Sequence, residues 1–258
     1  MTVTTPVLRQ INKYNNLGGG KGFKREIALY NSPHVKGFEE EFWGDALDAK
    51  WTVTAAGTSG ASAVLNGKLT LTTGTDNDGT AYITSGLAFS GDKNCVISTR
   101  LKVSELEAVK VEVGFTDALA DAGAVNVLAT PSETATDLAV AIMDTDDTDP
   151  TGDPLQFIGA KAGVNITKLE PAGVAFVADE YLTITVALKG DYGRFVVEMD
   201  DADIATTGTE FPFYDSGWIL NTIEGGTAVT PWIFVQSRDT DSVDLTVDYV
   251  NVYQSRLA

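Results

Sequence analysis

The chain is poor in the residues that build the commonest reactive sites. Its 258 residues include one cysteine, Cys95, and one histidine, His34. A single cysteine excludes an internal disulfide framework and a cysteine-based zinc site. A single histidine excludes a His-rich metal centre, and His34, next to Pro33, leaves no credible Ser-His-Asp relay. Bases are scarce too: 18 Lys and Arg stand against 36 Asp and Glu, for a net charge of −18. So acidic a surface repels phosphate, which argues against nucleic acid and anionic membrane as partners. No apolar run is long enough for a secretory signal or a membrane span, so synthesis and use without signal-directed secretion are expected. What remains is 43% apolar and 21% charged, a globular composition whose length suits one large β domain or two small ones.

The few bases are unevenly placed. Residues 1–36 hold Arg9, Lys13, Lys21, Lys24, Arg25 and Lys36 against the single acid Glu26, a net +5. The other twelve bases and thirty-five acids give residues 37–258 a net −23. The chain therefore divides into a basic arm, 1–36, and a very acidic body, 37–258, and such asymmetry marks a tail that docks on something acidic. Asn15-Asn16, Gly18-Gly19-Gly20 and Gly22 preclude a regular element in the arm. Gly18 to Gly22 lack the spacing of a phosphate loop, and no Ser or Thr follows Lys21 to hold magnesium.

The body reads as strands. Apolar residues recur with period two at Cys95, Ile97, Leu101 and Val103; at Val109, Val111, Val113 and Phe115; at Leu182, Ile184, Val186 and Leu188; at Phe195, Val197 and Met199; and at Val243, Leu245, Val247 and Tyr249. Arg100, Lys102, Lys110 and Glu112 fall on the alternate positions, which predicts that they face solvent. The phase slips at Tyr249-Val250, predicting a bulge. Asn66-Gly67 predicts a two-residue hairpin, and Gly190 to Gly193 a longer one. Short helical turns are expected only at 117–124 and 132–140. About a dozen strands with one apolar face each require two sheets packed face to face, an all-β antiparallel sandwich.

At 41–51 the chain reads EFWGDALDAKW. Its Glu41, Phe42, Gly44, Leu47, Asp48 and Trp51 resemble the opening strand of the concanavalin A-like lectin/glucanase superfamily. VDLTVDYVNVYQS at 243–255 is similar to the closing strand that lies beside the first there, and GDYGRFVVEMDD at 190–201 to its late hairpin. The resemblance implies a two-sheet jelly roll for the body, to which the basic arm is an extended N-terminal addition. It also implies the functions that fold hosts: lectins, glycan-binding modules, family-16-like glycoside hydrolases and structural coat proteins. The layout of basic arm and β-rich body further resembles the head decoration proteins of tailed bacteriophages, whose arm lies on the capsid lattice.

Candidate sites follow. Glu198, Asp200, Asp201 and Asp203 resemble the E-x-D-x-x-E of family-16 glycosidases, with Asp203 in place of the final Glu. Carboxylates two and four apart on a flat strand lie about 7 and 13 Å apart, whereas a retaining pair needs about 5–5.5 Å, so the bland reading is an acidic strand end. Asp144, Asp146, Asp147, Asp149 and Asp153 form the densest acid cluster, a weak calcium candidate that lacks the bidentate Glu, since Ile158 stands there. Cys95, Trp51 and Trp232 sit in core contexts, whereas Trp43 and Trp218, beside Gly, are candidates for stacking on sugars. The expected function is a non-enzymatic structural virion protein. Its arm, with Arg9, Lys13, Tyr14, Lys21, Phe23, Lys24, Arg25, Tyr30 and Lys36, binds a major capsid protein on the outer capsid surface after synthesis in the host cytoplasm. It is expected as a homo-oligomer, a trimer by capsid symmetry, with no required cofactor. The alternatives are a carbohydrate-binding module that touches host glycans and, behind it, a family-16-like glycoside hydrolase.

Overall fold

A computed structural model describes residues 35–42, 47–56, 59–62, 67–86, 88–127, 132–146, 155–171, 174–199 and 213–255. The arm before Val35 and residues 147–154 and 200–212 lie outside the described residues. Among those described there are seventeen strands and one 3-10 turn, Gly91–Lys93, and no α-helix.

Two antiparallel sheets form the sandwich. The eight-stranded sheet runs β15 (Phe213–Asp215), β14 (Tyr192–Met199), β13 (Leu182–Lys189), β6 (Val96–Val103), β17 (Asp244–Ser255), β4 (Leu69–Thr72) and β3 (Gly60–Ser62). β1 (Val35–Glu40) also pairs with β17, so the first and last strands lie side by side. β1 includes Lys36, whose backbone pairs with Gln254. The seven-stranded sheet runs β12 (Val164–Leu169), β11 (Gln156–Lys161), β10 (Leu138–Asp144), β7 (Val109–Thr116), β16 (Thr230–Ser237), β5 (Thr80–Thr84) and β2 (Thr52–Ala56). The two remaining strands, β8 (Val125–Val127) and β9 (Ser132–Glu133), pair with each other.

The inner faces hold the period-two residues. Ile97, Leu101, Val113, Phe115, Ile184, Val186, Phe195, Ile233, Leu245 and Val252 meet in one buried cluster, and removing their apolar area from water is the main favourable term in folding. Cys95 and Trp51 belong to it, and burial pushes the Cys95 thiol well above its ordinary pKa, leaving it protonated and inert. The predicted bulge is present: the β17–β6 register shifts between Val247 and Tyr249.

Several local expectations are corrected. Residues 41–51 are not a strand where described; the strand precedes them as β1. Of the resembling residues, Asp48 and Trp51 instead build the turn into β2, and Gly44 lies outside the described residues. The Asp48 carboxylate accepts the Lys50 N–H at 2.9 Å, its carbonyl accepts the Trp51 N–H at 2.9 Å, and Phe42 is buried. The helical turns at 117–124 and 132–140 do not form: the first is a turn closed by Gly123 N–H to Ala120 O at 2.9 Å, and the second runs through β9 into β10. The β13–β14 hairpin is tighter than expected. Lys189 pairs with Tyr192 across Gly190-Asp191 alone, and Gly190 takes the positive φ of 55° that the first position of such a turn demands.

The largest correction concerns β7, whose eight residues are all buried. Residues 117–127 and 132–137, carrying β8 and β9, lie over the outer face of the seven-stranded sheet. There Ala124, Val125 and Ala135 pack with Tyr82, Leu138, Val140, Ile142, Ile158, Trp232 and Phe234 in a second core. The Trp232 ring lies 4.5 Å from Tyr82 and 5.5 Å from Phe234. Gly114 lets this sheet close up, since a Cβ there would stand 2.1 Å from the Ala139 carbonyl oxygen.

Candidate functional site

Lys110 and Glu112, predicted to face water, are fully buried beneath that lid and 3.0 Å apart. Glu112 accepts hydrogen bonds from the Ala124 N–H (2.7 Å), the Val125 N–H (3.1 Å) and the Trp232 indole N–H (2.8 Å). Lys110 donates to the carbonyls of Ala122, at 2.7 Å, and Val125. The pair thus satisfies backbone groups that the lid would otherwise bury unpaired. This anchors the lid and leaves neither group exposed to a substrate.

The calcium candidates Asp144 and Asp146 lie at the end of β10. Asp144 is buried and held in a fork by Arg238, whose Nε sits 2.9 Å from Oδ1 while Nη2 bonds Oδ2. Asp146 and Asp78 lie 3.7 and 3.8 Å from the same guanidinium. Arg238 is thus the cation these acids surround. Asp147, Asp149 and Asp153 lie outside the described residues. Among the described residues no three His, Cys, Asp or Glu side chains gather as a metal cage. Glu198 sits on β14 opposite Thr183, while Asp200, Asp201 and Asp203 lie outside the described residues. Trp43 and the arm residues Arg9, Lys13, Tyr14, Lys21, Phe23, Lys24, Arg25 and Tyr30 do as well; Lys36 is exposed on β1.

Trp218 is the sugar-stacking candidate that the structure places in a definable site. Gly193 and Ile219 exchange backbone hydrogen bonds of 3.0 and 2.8 Å, extending the eight-stranded sheet past β15. Ile219 turns inward against the core, so by alternation its neighbours Trp218 and Leu220 turn outward, as do Tyr192 and Arg194 on β14. Trp218 is 42% exposed, Tyr192 41% and Leu220 52%, which makes this a concentrated apolar surface on an acidic protein. The Arg194 guanidinium lies 6.0 Å from the Trp218 ring and grips Asp215 through Nε, at 2.8 Å, and Nη2. That grip, aided by the Gly217 N–H, holds the Asp215 carboxyl below its usual pKa.

The segment is anchored on both sides. Phe195 donates its N–H to Ser216 Oγ at 2.9 Å, and Thr222 donates its N–H to the Asp191 carbonyl at 3.0 Å. Asp191 also accepts the Gly225 N–H at 2.9 Å and pairs with Lys161, and the Lys161 contact is the main cause of its lowered pKa. Asp137 takes the Glu224 N–H at 2.7 Å. The platform is thus pre-formed, presenting two aromatic faces and a fixed charged fork. Sequence reading singled out Trp218 but missed Tyr192, Arg194, Asp215 and Leu220. The alternation of Tyr192 with Arg194 and of Trp218 with Leu220 was the available signal.

No family profile matches the chain, and no curated protein does. Solved structures do. A protein of unknown function from Shewanella oneidensis MR-1 superposes with a TM-score of 0.59 at 11% identity, covering 92% of this chain and 96% of that one. Peanut lectin superposes with a TM-score of 0.55 at 10% identity, covering 85% and 97%. A β-1,3-1,4-glucanase (lichenase) from a mouse hindgut metagenome gives 0.52 at 13% identity, covering 84% and 98%. The fold is the concanavalin A-like jelly roll. Within this jelly roll, the lid fills the outer face of the seven-stranded sheet and the Trp218 platform lies on the outer side of the eight-stranded one.

Proposed function

We propose that this jelly roll is a non-catalytic carbohydrate-binding module whose platform is Trp218, Tyr192 and Leu220, flanked by the Arg194–Asp215 fork. The observation that carries the reading is the exposure of two aromatic rings on one pre-formed surface beside a charged fork. Sugar rings present apolar faces that stack on exposed aromatics, and rigid aromatic anchors concentrate binding energy. The likeness to lectins supports the reading as an analogy of fold. A glycan array locates the ligand, and Trp218→Ala then weakens binding at least tenfold, the loss of about 1.4 kcal/mol or more. Unchanged binding by Trp218→Ala removes the platform from the reading.

The +5 and −23 division of charge favours a second reading, a virion decoration protein anchored by its basic arm. In that case deleting residues 1–34, the part of the arm that precedes β1, abolishes capsid attachment while the far-ultraviolet spectrum of the sandwich persists. Continued attachment of the truncated chain refutes it.

A further inference from the structure

A second cluster stands on the outer side of the eight-stranded sheet, at the other end of β13 from the platform and about 25 Å away at 3.3 Å per residue. Tyr181 immediately precedes β13. Because Leu182 opposes Leu101, Tyr181 falls beside Lys102 on the outer face. Three cations converge on its ring: the Arg100 guanidinium carbon lies 3.9 Å from the centroid, Lys68 Nζ 5.2 Å and Lys102 Nζ 5.7 Å. Two acids join them, Asp248 at 2.6 Å from Arg100 and Asp179 at 2.9 Å from Lys102. The cluster is therefore locally +1 on a chain of net −18.

Three like charges around one ring repel one another. The negative face of the ring offsets part of that repulsion. The Asp179 side chain is 69% exposed and its pair with Lys102 is easily opened, whereas Asp248 is half-buried and stays on one edge of the Arg100 guanidinium. At physiological salt the remaining acids of the body are screened beyond about 8 Å, so a ligand at the ring meets mainly the cluster itself.

We propose that the Tyr181 cluster binds a sulfate or phosphate ester group. A tetrahedral oxyanion presents three outward oxygens, enough to accept from Arg100, Lys68 and Lys102 together, and such charge-assisted bonds are the strong ones. Tyr181 is the positioning residue, the ring beside which all three cations lie. This site does not rest on the glycan platform.

The test titrates the full chain with sodium sulfate and with sodium phosphate against chloride at constant ionic strength, followed by backbone amide shifts. Sulfated and phosphorylated dextran, with plain dextran as the blank, form the polymer arm. The expected result is saturable binding of at least one oxyanion, weakened tenfold or more in Lys68→Ala/Lys102→Ala and retained in Lys68→Arg/Lys102→Arg. Whichever ester polymer binds better identifies the source of the group. Equal binding by wild type and the double alanine variant, or no shift beyond that of chloride, overturns the proposal. Both substituted positions lie near the surface, and an unchanged thermal transition verifies that the variants are folded.

Discussion

Replacing Glu112 with Gln is the sharpest perturbation of this fold. The two are nearly isosteric, so no cavity forms, and the cost is almost purely one of polar satisfaction. One carboxylate oxygen accepts from Ala124 N–H and the Trp232 indole, while the other accepts from Val125 N–H and faces Lys110. In either amide orientation the NH2 group of Gln confronts a donor, and Lys110, fully buried, loses its counter-charge. Breaking a buried pair by removing one partner costs about 3–5 kcal/mol. For a chain of this size each kcal/mol moves the midpoint by about 2–4 °C, so Glu112→Gln lowers Tm by about 6–20 °C. Urea unfolding followed by Trp fluorescence measures the free energy, and exchange of the Ala124 and Val125 amides reports whether the lid loosens first.

A double substitution makes the reasoning refutable. Where two buried charges satisfy only each other, replacing both by apolar residues is often neutral. Here the pair also serves two amides, an indole and two carbonyls. Lys110→Met/Glu112→Leu therefore leaves five polar groups without these partners and remains at least about 2 kcal/mol less stable than wild type. A double variant as stable as wild type, or a Glu112→Gln cost below about 1 kcal/mol, refutes the claim that this pair anchors the lid.

Two further outcomes are expected. Arg238→Met leaves the buried Asp144 carboxylate without its fork and costs about 3 kcal/mol by urea unfolding; millimolar calcium then raises the Tm of this variant but not of wild type, because the guanidinium occupies the place a cation would take. Glu105 has a raised pKa, chiefly from burial and then from Asp239, Asp241 and Glu107. Its charged form is therefore the destabilised one, the penalty present above its folded pKa and gone below the unfolded value near 4.3. Glu105→Gln accordingly raises Tm at pH 7 and leaves it unchanged near pH 3.5.

The sandwich was legible because its signal is local. Alternation along 95–103 or 182–188 marks an inner face whatever the partner strand is, and the slip at Tyr249 marks the bulge at Asp248. Lys110 and Glu112 were misread for the same reason. Their alternation with Val109, Val111 and Val113 is that of a half-exposed strand, and what buries them is the stretch around 122–125, whose small residues carry no periodic signal. Gly123 is the one local hint, since a Cβ there would lie 2.6 Å from both the Glu112 carboxylate and the Lys110 ammonium. The Trp218 platform was half legible: a Trp beside Gly reads as exposed, but the partnership of Arg194 with Asp215 depends on pairing between β14 and the segment 213–220, across the stretch 200–212.

The lid also limits where a ligand can sit. A two-sheet sandwich uses two of its four faces for the core, which leaves two outer faces and the rims. In this chain residues 117–127 and 132–137 cover the outer face of the seven-stranded sheet with a second core containing the aromatics Trp232, Tyr82 and Phe234. Both proposed sites lie on the eight-stranded side, the exposed aromatics of the platform at one end and the cations around Tyr181 at the other. The two are separable by construction. Trp218→Ala removes apolar stacking and leaves the Tyr181 charges in place, and Lys68→Ala/Lys102→Ala does the reverse. A ligand that loses affinity in both variants must span the sheet lengthwise, and its affinity must fall with salt only to the extent that the Tyr181 end is engaged.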